Sequence, residues 1–240
     1  MKSFRTRTYK KELIDDFQSD GPELRQTLRE LKTINTLLGG NQVTTQAIKK
    51  LIKGQGMSKV VIADVGCGGG DMIRVMANWA KKEKIDAQFI GIDANSHTIE
   101  IAKNNLADLG NVSFETANVF DKDFHQKNLD IITCTLFTHH FTDQELVDMF
   151  RSFSQTARIG LVINDLHRHP LAYYSIKILT SLFSKSRLVK NDAPLSVMRS
   201  FHRKEIRTLL EQAGWQKIQV SWHWAFRWQV IGFKTGVARC

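Results

Sequence analysis

The densest chemical signal in the chain is VVIADVGCGGGDMIRV, residues 60–75. An apolar run ends in Asp64 and passes through Gly66, Gly68, Gly69 and Gly70 into a helical pattern, the place where an open α/β sheet binds its ligand. A dinucleotide fingerprint counted from Gly66 needs glycine or alanine at position 71, but Asp71 stands there. Its carboxylate sits at the helix mouth where a pyrophosphate would rest, and it repels phosphate. No Gly-Lys-Ser/Thr follows the glycines, which excludes a P-loop. The spacing predicts an adenosine-like ligand without a polyphosphate.

S-adenosylmethionine meets that description: it has an adenosine, an ammonium-bearing amino-acid end and a sulfonium, and no phosphate. Asp64 and Asp71 turn favourable toward it through charge-assisted hydrogen bonds. Asp93 closes the run FIGID, 29 residues after Asp64, where a carboxylate can accept both ribose hydroxyls. Asp93 alone would suit NAD equally well. Cys67 reads as a small filler inside the glycine loop.

On these residues the chain resembles the class I S-adenosylmethionine-dependent methyltransferases, particularly the ubiquinone/menaquinone-biosynthesis-like group, clearly over residues 58 to 165. DVGCGGG is similar to that family's first motif and GIDAN to its second, implying cofactor contacts at Asp64, Gly66, Cys67, Gly68, Gly70, Asp93 and Ala94. SFETANVFD resembles the adenine-contacting segment, with Asn118 where a family Asp usually stands and Val119 beside it. LDIITCTLFTHHFTD resembles the fourth motif, with Thr135 closing its strand and Thr138-His139-His140-Phe141 as a variant of Leu-His-His-Leu flanking the methyl donor. The implied fold is α/β, a Rossmann-like seven-stranded sheet ending in an antiparallel hairpin, with an N-terminal helical cap at 1–57 and the cofactor-binding domain at 58–240. The resemblance carries no acceptor identity.

Methyl transfer is an in-line displacement and asks mainly for alignment and exclusion of water. A phenolic hydroxyl, with a pKa near 10, reacts far better once deprotonated, so a histidine within reach serves as base. His139, His140, His167 and His169 all map to strand-end loops on the ligand side and are the candidate catalytic groups. No Asn/Asp-Pro-Pro-aromatic motif and no Pro-Cys pair occurs among the three prolines, which argues against amine methylation of bases and against a covalent cysteine mechanism. No metal site is expected: Cys134, Thr135 and Leu136 occupy the fourth strand end, leaving Asn164 and Asp165 at the fifth. Tyr173, Tyr174, Phe183 and Trp224 offer an aromatic acceptor pocket.

Stepwise along the chain, residues 10 to 53 predict two or three helices, with Leu24, Leu28, Leu31, Ile34 and Leu38 at helical spacing. Short apolar strands then alternate with helices: strands at 59–65, 88–93, 112–116, 129–135 and 158–165, the second helix of this series capped by Ser96 and the third by Asp143. The pattern is that of a parallel sheet covered on both faces. Residues 166 to 200 form an insertion after strand five, read as a helical lid with a stripe of Leu171, Tyr174, Ile178 and Leu182. A helix at 203–213 and two closely spaced strands at 216–224 and 227–234 finish the fold as an antiparallel hairpin.

At 240 residues the chain suits one α/β domain with an elaboration. Cys67, Cys134 and Cys240 are odd in number and far apart, so no disulfide framework is written, and a cytoplasmic compartment is expected. No apolar run approaches the roughly 18 residues of a membrane span. The formal net charge of +10 is spread from Lys2 to Arg239 without a basic run. The favoured acceptor is a small aromatic or lipid-like molecule: a phenol, quinone precursor or polyketide-derived ring, methylated on oxygen or on ring carbon. Lys177, Lys185, Arg187 and Lys190 would let the lid rest on an anionic membrane. DNA is not expected as a partner. An RNA or protein acceptor is the first rival, supported by Arg168, Arg187, Arg199, Arg203 and Arg207; a non-catalytic cofactor-binding scaffold is the second, and a nicotinamide oxidoreductase is disfavoured by Asp71.

Overall fold

The computed structural model describes residues 3–15, 20–53, 55, 59–121 and 124–234. The cap boundary at 57/58 and Lys2, Arg239 and Cys240 lie outside them. Two helices, α1 (Gly21–Leu37) and α2 (Gly40–Ile52), precede β1 (Val60–Val65), α3 (Asp71–Glu83), β2 (Ala87–Asp93), α4 (Ser96–Asn105) and β3 (Val112–Thr116). Then come β4 (Leu129–Thr135), α5 (Asp143–Thr156), β5 (Ala157–Leu166), α6 (Pro170–Phe183), α7 (Arg187–Arg199), α8 (Arg203–Gln212), β6 (Lys217–His223) and β7 (Arg227–Phe233).

The strands form one seven-stranded sheet in the order β3-β2-β1-β4-β5-β7-β6, the first five parallel and β7 antiparallel to both neighbours. Only Trp224, Ala225 and Phe226 separate β6 from β7, too few for a helical crossover. The tight reversal puts Ala225 and Phe226 at positive φ, as primed hairpin turns require.

The sheet is buried on both faces, which is why its strands read as continuous apolar runs. One core unites Val65, Leu146, Phe150, Phe153, Leu210 and Trp215, and the other Ile48, Leu51, Ile62, Ile73 and Met76. Helix α2 thus packs into the same core as α3, its Gly40 end anchored where Asn164 Nδ2 donates to the Gly40 carbonyl at 2.8 Å.

Two expected caps move by one residue. Asn95 caps α4 by accepting from the His97 and Thr98 amides, and Thr142 caps α5 in a capping box with Glu145. Ser96 and Asp143 occupy the first helical positions instead, since both neighbours in each pair are cap-forming types.

The lid is helical, as expected, and turned differently from expectation. Helix α7 packs against α1, the Leu13–Asp15 turn and the Thr138–His140 turn. Helix α6 packs on α7 through Ala172, Tyr173 and Ile176, with Val197 and Phe4 opposite, and its stripe of Leu171, Tyr174, Ile178 and Leu182 faces outward, each residue more than half exposed.

Candidate functional site

At the carboxyl end of β1, Gly66, Gly68 and Gly70 all have positive φ, at 71°, 52° and 78°. A Cβ on Gly66 would lie 2.1 Å from the Phe137 ring, so glycine is required there both by conformation and by the approach of the β4 loop. Gly68 N–H donates to one Asp93 oxygen at 3.1 Å and Asn95 N–H to the other at 3.0 Å. Burial pushes the Asp93 carboxyl up, against those backbone bonds. Above Gly68 a missing Cβ leaves room, its closest neighbour being Leu28 of α1 at 3.7 Å. Lys32 of the same helix pairs with Asp71 at 3.1 Å. The loop, Asp93 and α1 therefore form a cradle carrying the Asp93 and Asp71 carboxylates, a charge pattern suited to a ligand with cationic rather than anionic groups.

Other expected contacts sort by depth. Asp64 is only 2% exposed; its carboxyl accepts from Thr133 Oγ1 at 2.7 Å and is pushed by burial up to about 7. Cys67 is buried and its thiol is pushed up by that burial. Ala94 follows Asp93 half-buried, Val119 is buried, and exposed Asn118 holds its own turn by accepting the Phe120 amide at 3.1 Å. Thr135 meets Thr44 of α2 at 3.2 Å.

The end of β4 carries the second half of the site. Leu136 has φ 53°, a costly conformation for a branched side chain, and its amide is held by the Asn164 carbonyl at 2.8 Å. This kink sets a single turn, Thr138–His140, against Asp165 at the end of β5. One Asp165 oxygen accepts from Thr138 Oγ1 at 2.6 Å and His139 N–H at 3.1 Å; the other accepts from His139 Nδ1 at 2.7 Å and Leu166 N–H at 2.7 Å. Burial opposes ionisation of Asp165, but His139 and these donors outweigh it and hold the carboxyl well below the usual range.

His140 bonds through Nδ1 to Asp15 at 2.5 Å, and its ring centroid lies 4.3 Å from that of His139. Glu12 completes the cluster, with Oε1 3.7 Å from His139 Nε2 and Oε2 accepting from Ser196 Oγ at 2.9 Å. Burial pushes Glu12 up to about 7. Two buried arginines fix the backbone around it: Arg199 donates to the carbonyls of His139 and His140, and Arg7 to those of His139 and Phe141.

The methyltransferase domain family matches residues 57–214. The chain belongs to this family. It is an S-adenosylmethionine-dependent methyltransferase. Among curated proteins, a carboxy-S-adenosyl-L-methionine synthase of Campylobacter jejuni is 26% identical over 191 residues, covering 72% of this chain and 76% of that protein. A ubiquinone/menaquinone biosynthesis C-methyltransferase of the same species is 27% identical over 169 residues, 65% of this chain and 71% of that one. Among solved structures, the plantazolicin methyltransferase BpumL with S-adenosylhomocysteine superposes with a TM-score of 0.66 at 16% identity, covering 92% of this chain and 93% of the other. Human N-acetylserotonin methyltransferase with S-adenosylmethionine gives 0.65 at 14%, covering 92% of this chain, which spans 58% of the human protein.

The methyltransferase brings its four candidate histidines together as two pairs. His167 and His169 form the second pair, with centroids 5.5 Å apart, alongside His202, Trp228 and Phe226. His169 is occupied as the cap of α6, accepting the Leu171 amide at 3.2 Å, and burial pushes His167 down to about 4. Among the described residues neither has a carboxylate partner of the kind His139 and His140 have.

The aromatic pocket is a correction. Tyr174, Phe183 and Trp224 are 52%, 77% and 68% exposed, and Tyr173 is buried against Phe4 rather than lining a cleft. Two of the five arginines of the basic set are also placed otherwise than expected. Arg168 is fully buried, donating to the Phe4, Arg5 and Ser200 carbonyls, and Arg199 is spent on the site turn.

Sequence reasoning missed Glu12 and Asp15. They sit in a short acidic stretch before the first helix, and the contacts that define their role are made by residues more than 120 positions away. Their burial makes a prediction. Glu12 is protonated in both states below its ordinary value of 4.5; above it the unfolded chain ionises first, so this residue's contribution to stability falls as pH rises through about 7. The loss amounts to about 3 kcal/mol at roughly 1.4 kcal/mol per unit. In metal-free buffer, urea unfolding at pH 5 and pH 8 should show a smaller decline for Glu12→Gln than for wild type by that amount; parallel pH profiles would refute it.

Proposed function

We propose that the methyltransferase methylates the hydroxyl of a small aromatic or lipid-like acceptor, activated at the His139–His140 pair, with methylation of the same ring on carbon as a close variant. The observation carrying this reading is that both imidazoles bond through Nδ1 to a carboxylate at the strand ends beside the glycine loop, leaving Nε2 as the nitrogen that takes a proton. S-adenosylmethionine supplies a methyl group on a sulfonium, so the protein's tasks are alignment, exclusion of water and removal of one proton.

His140 is the less buried of the pair and meets the acceptor oxygen; a phenol near pKa 10 is mostly protonated at neutral pH, and an imidazole in contact with it raises the share of oxyanion. His139 lies behind, locked by Asp165. Arg7 and Arg199 keep the turn from relaxing, and α7 packs against both that turn and α1. Arg168 and Arg199 are buried on backbone carbonyls, which leaves Arg187, Arg203 and Arg207 of the five arginines for an RNA acceptor and favours a small molecule.

The lid favours a lipid-like acceptor met at a bilayer surface. Leu171, Tyr174, Ile178, Leu182 and Phe183 are exposed on α6, with exposed Lys177, Lys185, Arg187 and Lys190 on the same segment. Helix α6 has no acidic residue, so the face complements an anionic headgroup layer. The protein should co-sediment with vesicles containing phosphatidylglycerol and not with pure phosphatidylcholine, and Ile178→Asp with Leu182→Asp should cut that binding at least tenfold while leaving the melting temperature within about 2 °C, since both side chains are in water already. Equal sedimentation of the double variant would refute the surface.

The acceptor class is tested by incubating the enzyme with methyl-labelled S-adenosylmethionine and fractionated cell extract. Label in organic-soluble small molecules is expected; label in RNA or protein would overturn the acceptor class.

A further inference from the structure

The cluster at the end of β4 also has the make-up of a metal centre. We propose that Glu12, His139 and His140 bind one divalent transition-metal ion of the zinc type, with a coordination position left open for the acceptor's hydroxyl. Only that last clause rests on the acceptor reading above, and with the ion bound the histidine Nε2 atoms ligate it in place of taking the hydroxyl proton.

One ligand atom from each residue lies within 4.8 Å of the others. Ligands around tetrahedral zinc stand about 3.4 Å apart, given bonds of roughly 2.0–2.1 Å, so the three need to close by little more than an ångström. Two imidazoles and one carboxylate with a fourth position open is a donor set zinc uses for catalysis.

Three further observations point to a cation. Each histidine hangs Nδ1 on a carboxylate, Asp165 at 2.7 Å and Asp15 at 2.5 Å, the outer arrangement that fixes the tautomer and presents Nε2 to a metal. Glu12 Oε1 is buried in a residue 5% exposed and has no hydrogen-bond partner among the described residues. Its neighbours, His139 Nε2 at 3.7 Å and Arg199 Nε at 3.6 Å, are beyond hydrogen-bond reach, and a buried acceptor left open is costly. Finally, three carboxyl groups, Glu12, Asp15 and Asp165, face the two imidazoles, a set of oxygen and nitrogen donors suited to a dication.

Such an ion acts on the acceptor as it acts on water, lowering the pKa of a bound hydroxyl toward neutrality. The hydroxyl proton leaves to solvent, the oxygen bonds to the methyl carbon, and the carbon–sulfur pair stays on sulfur.

The test is titration of the EDTA-treated full-length protein with Co²⁺ alone at pH 7.5. One equivalent should bind with visible bands of tetrahedral intensity and be displaced by one equivalent of Zn²⁺. Glu12→Gln and His140→Gln should each weaken Co²⁺ at least tenfold, and Asp15→Asn, which keeps all three ligands, by about 10–100-fold. An unchanged thermal shift with S-adenosylmethionine shows that the variants are folded. Absence of saturable Co²⁺ uptake, or uptake indifferent to Glu12→Gln and His140→Gln, overturns the site while leaving histidine base catalysis standing. Uptake that follows the variants, with methylation equal in metal-free and Zn²⁺-loaded enzyme, keeps the site and overturns the open position.

Discussion

Replacing His140 by glutamine should lower kcat/KM for the acceptor by about 10²–10⁴, the span that a positioned acid–base group supplies, while S-adenosylmethionine binding changes by no more than a few fold. The split follows from where the side chain sits. In the proposed reading the cofactor rests on the glycine loop and Asp93, whose partners are Gly68 and Asn95, whereas His140 bonds to Asp15. Glutamine preserves a polar contact to Asp15 without an imidazole's basicity. Asp165→Asn should cause a loss of similar order by a different route, because Asp165 accepts from Thr138, His139 and Leu166 at once, and its rescue by a low-basicity acceptor already ionised at neutral pH should be poorer than that of His140→Gln. Steady-state kinetics with an acceptor series of graded pKa measures both; a His140→Gln enzyme with unchanged kcat/KM would remove the pair from the chemistry.

The second large effect concerns stability. Gly66→Ala combines a left-handed backbone, costing about 1–2 kcal/mol for any L side chain, with a methyl placed 2.1 Å from Phe137, an overpacking of about 1–3 kcal/mol. The variant should lose roughly 2–5 kcal/mol. At about 2.1 cal/mol/K per residue of unfolding entropy that is roughly 4–10 °C in melting temperature, with cofactor affinity falling alongside. In a double-mutant cycle, Phe137→Ala should return the steric part and leave the backbone part. A Gly66→Ala protein melting within 1 °C of wild type would show that the β4 loop does not press on the glycine turn.

What the sequence revealed and what it hid divide along the distance over which each signal acts. The cofactor cradle is legible because Asp64 through Asp71 are contiguous and Asp93 ends the next strand, so local pattern suffices. The parallel strands are legible because burial on both faces makes them apolar runs. His139 and His140 are legible as residues at a strand end, but their carboxylates are not: Asp165 comes from the next strand and Asp15 from 125 positions upstream. Helix α6 shows the limit of periodicity. Spacing grouped Leu171, Tyr174, Ile178 and Leu182 on one face, yet which face turns inward was decided by Phe4 and Val197 meeting Ala172 and Tyr173. Arg168 and Arg199 read as surface charge because no local rule announces that a guanidinium will be consumed by backbone carbonyls.

The strap that carries Glu12 and Asp15 also sets when the enzyme can exist during its own synthesis. Its anchors are Asp192, which takes the Leu13 and Ile14 amides, and Ser196 and Arg199, all about 180 residues later in the chain. At ribosomal speeds of about 5–20 residues per second, the strap emerges first and then waits on the order of 10–40 s before these anchors on α7 have been made. The glycine loop and Asp93 are made well before α7, so the strap that carries Glu12 and Asp15 gains its α7 anchors only late in synthesis.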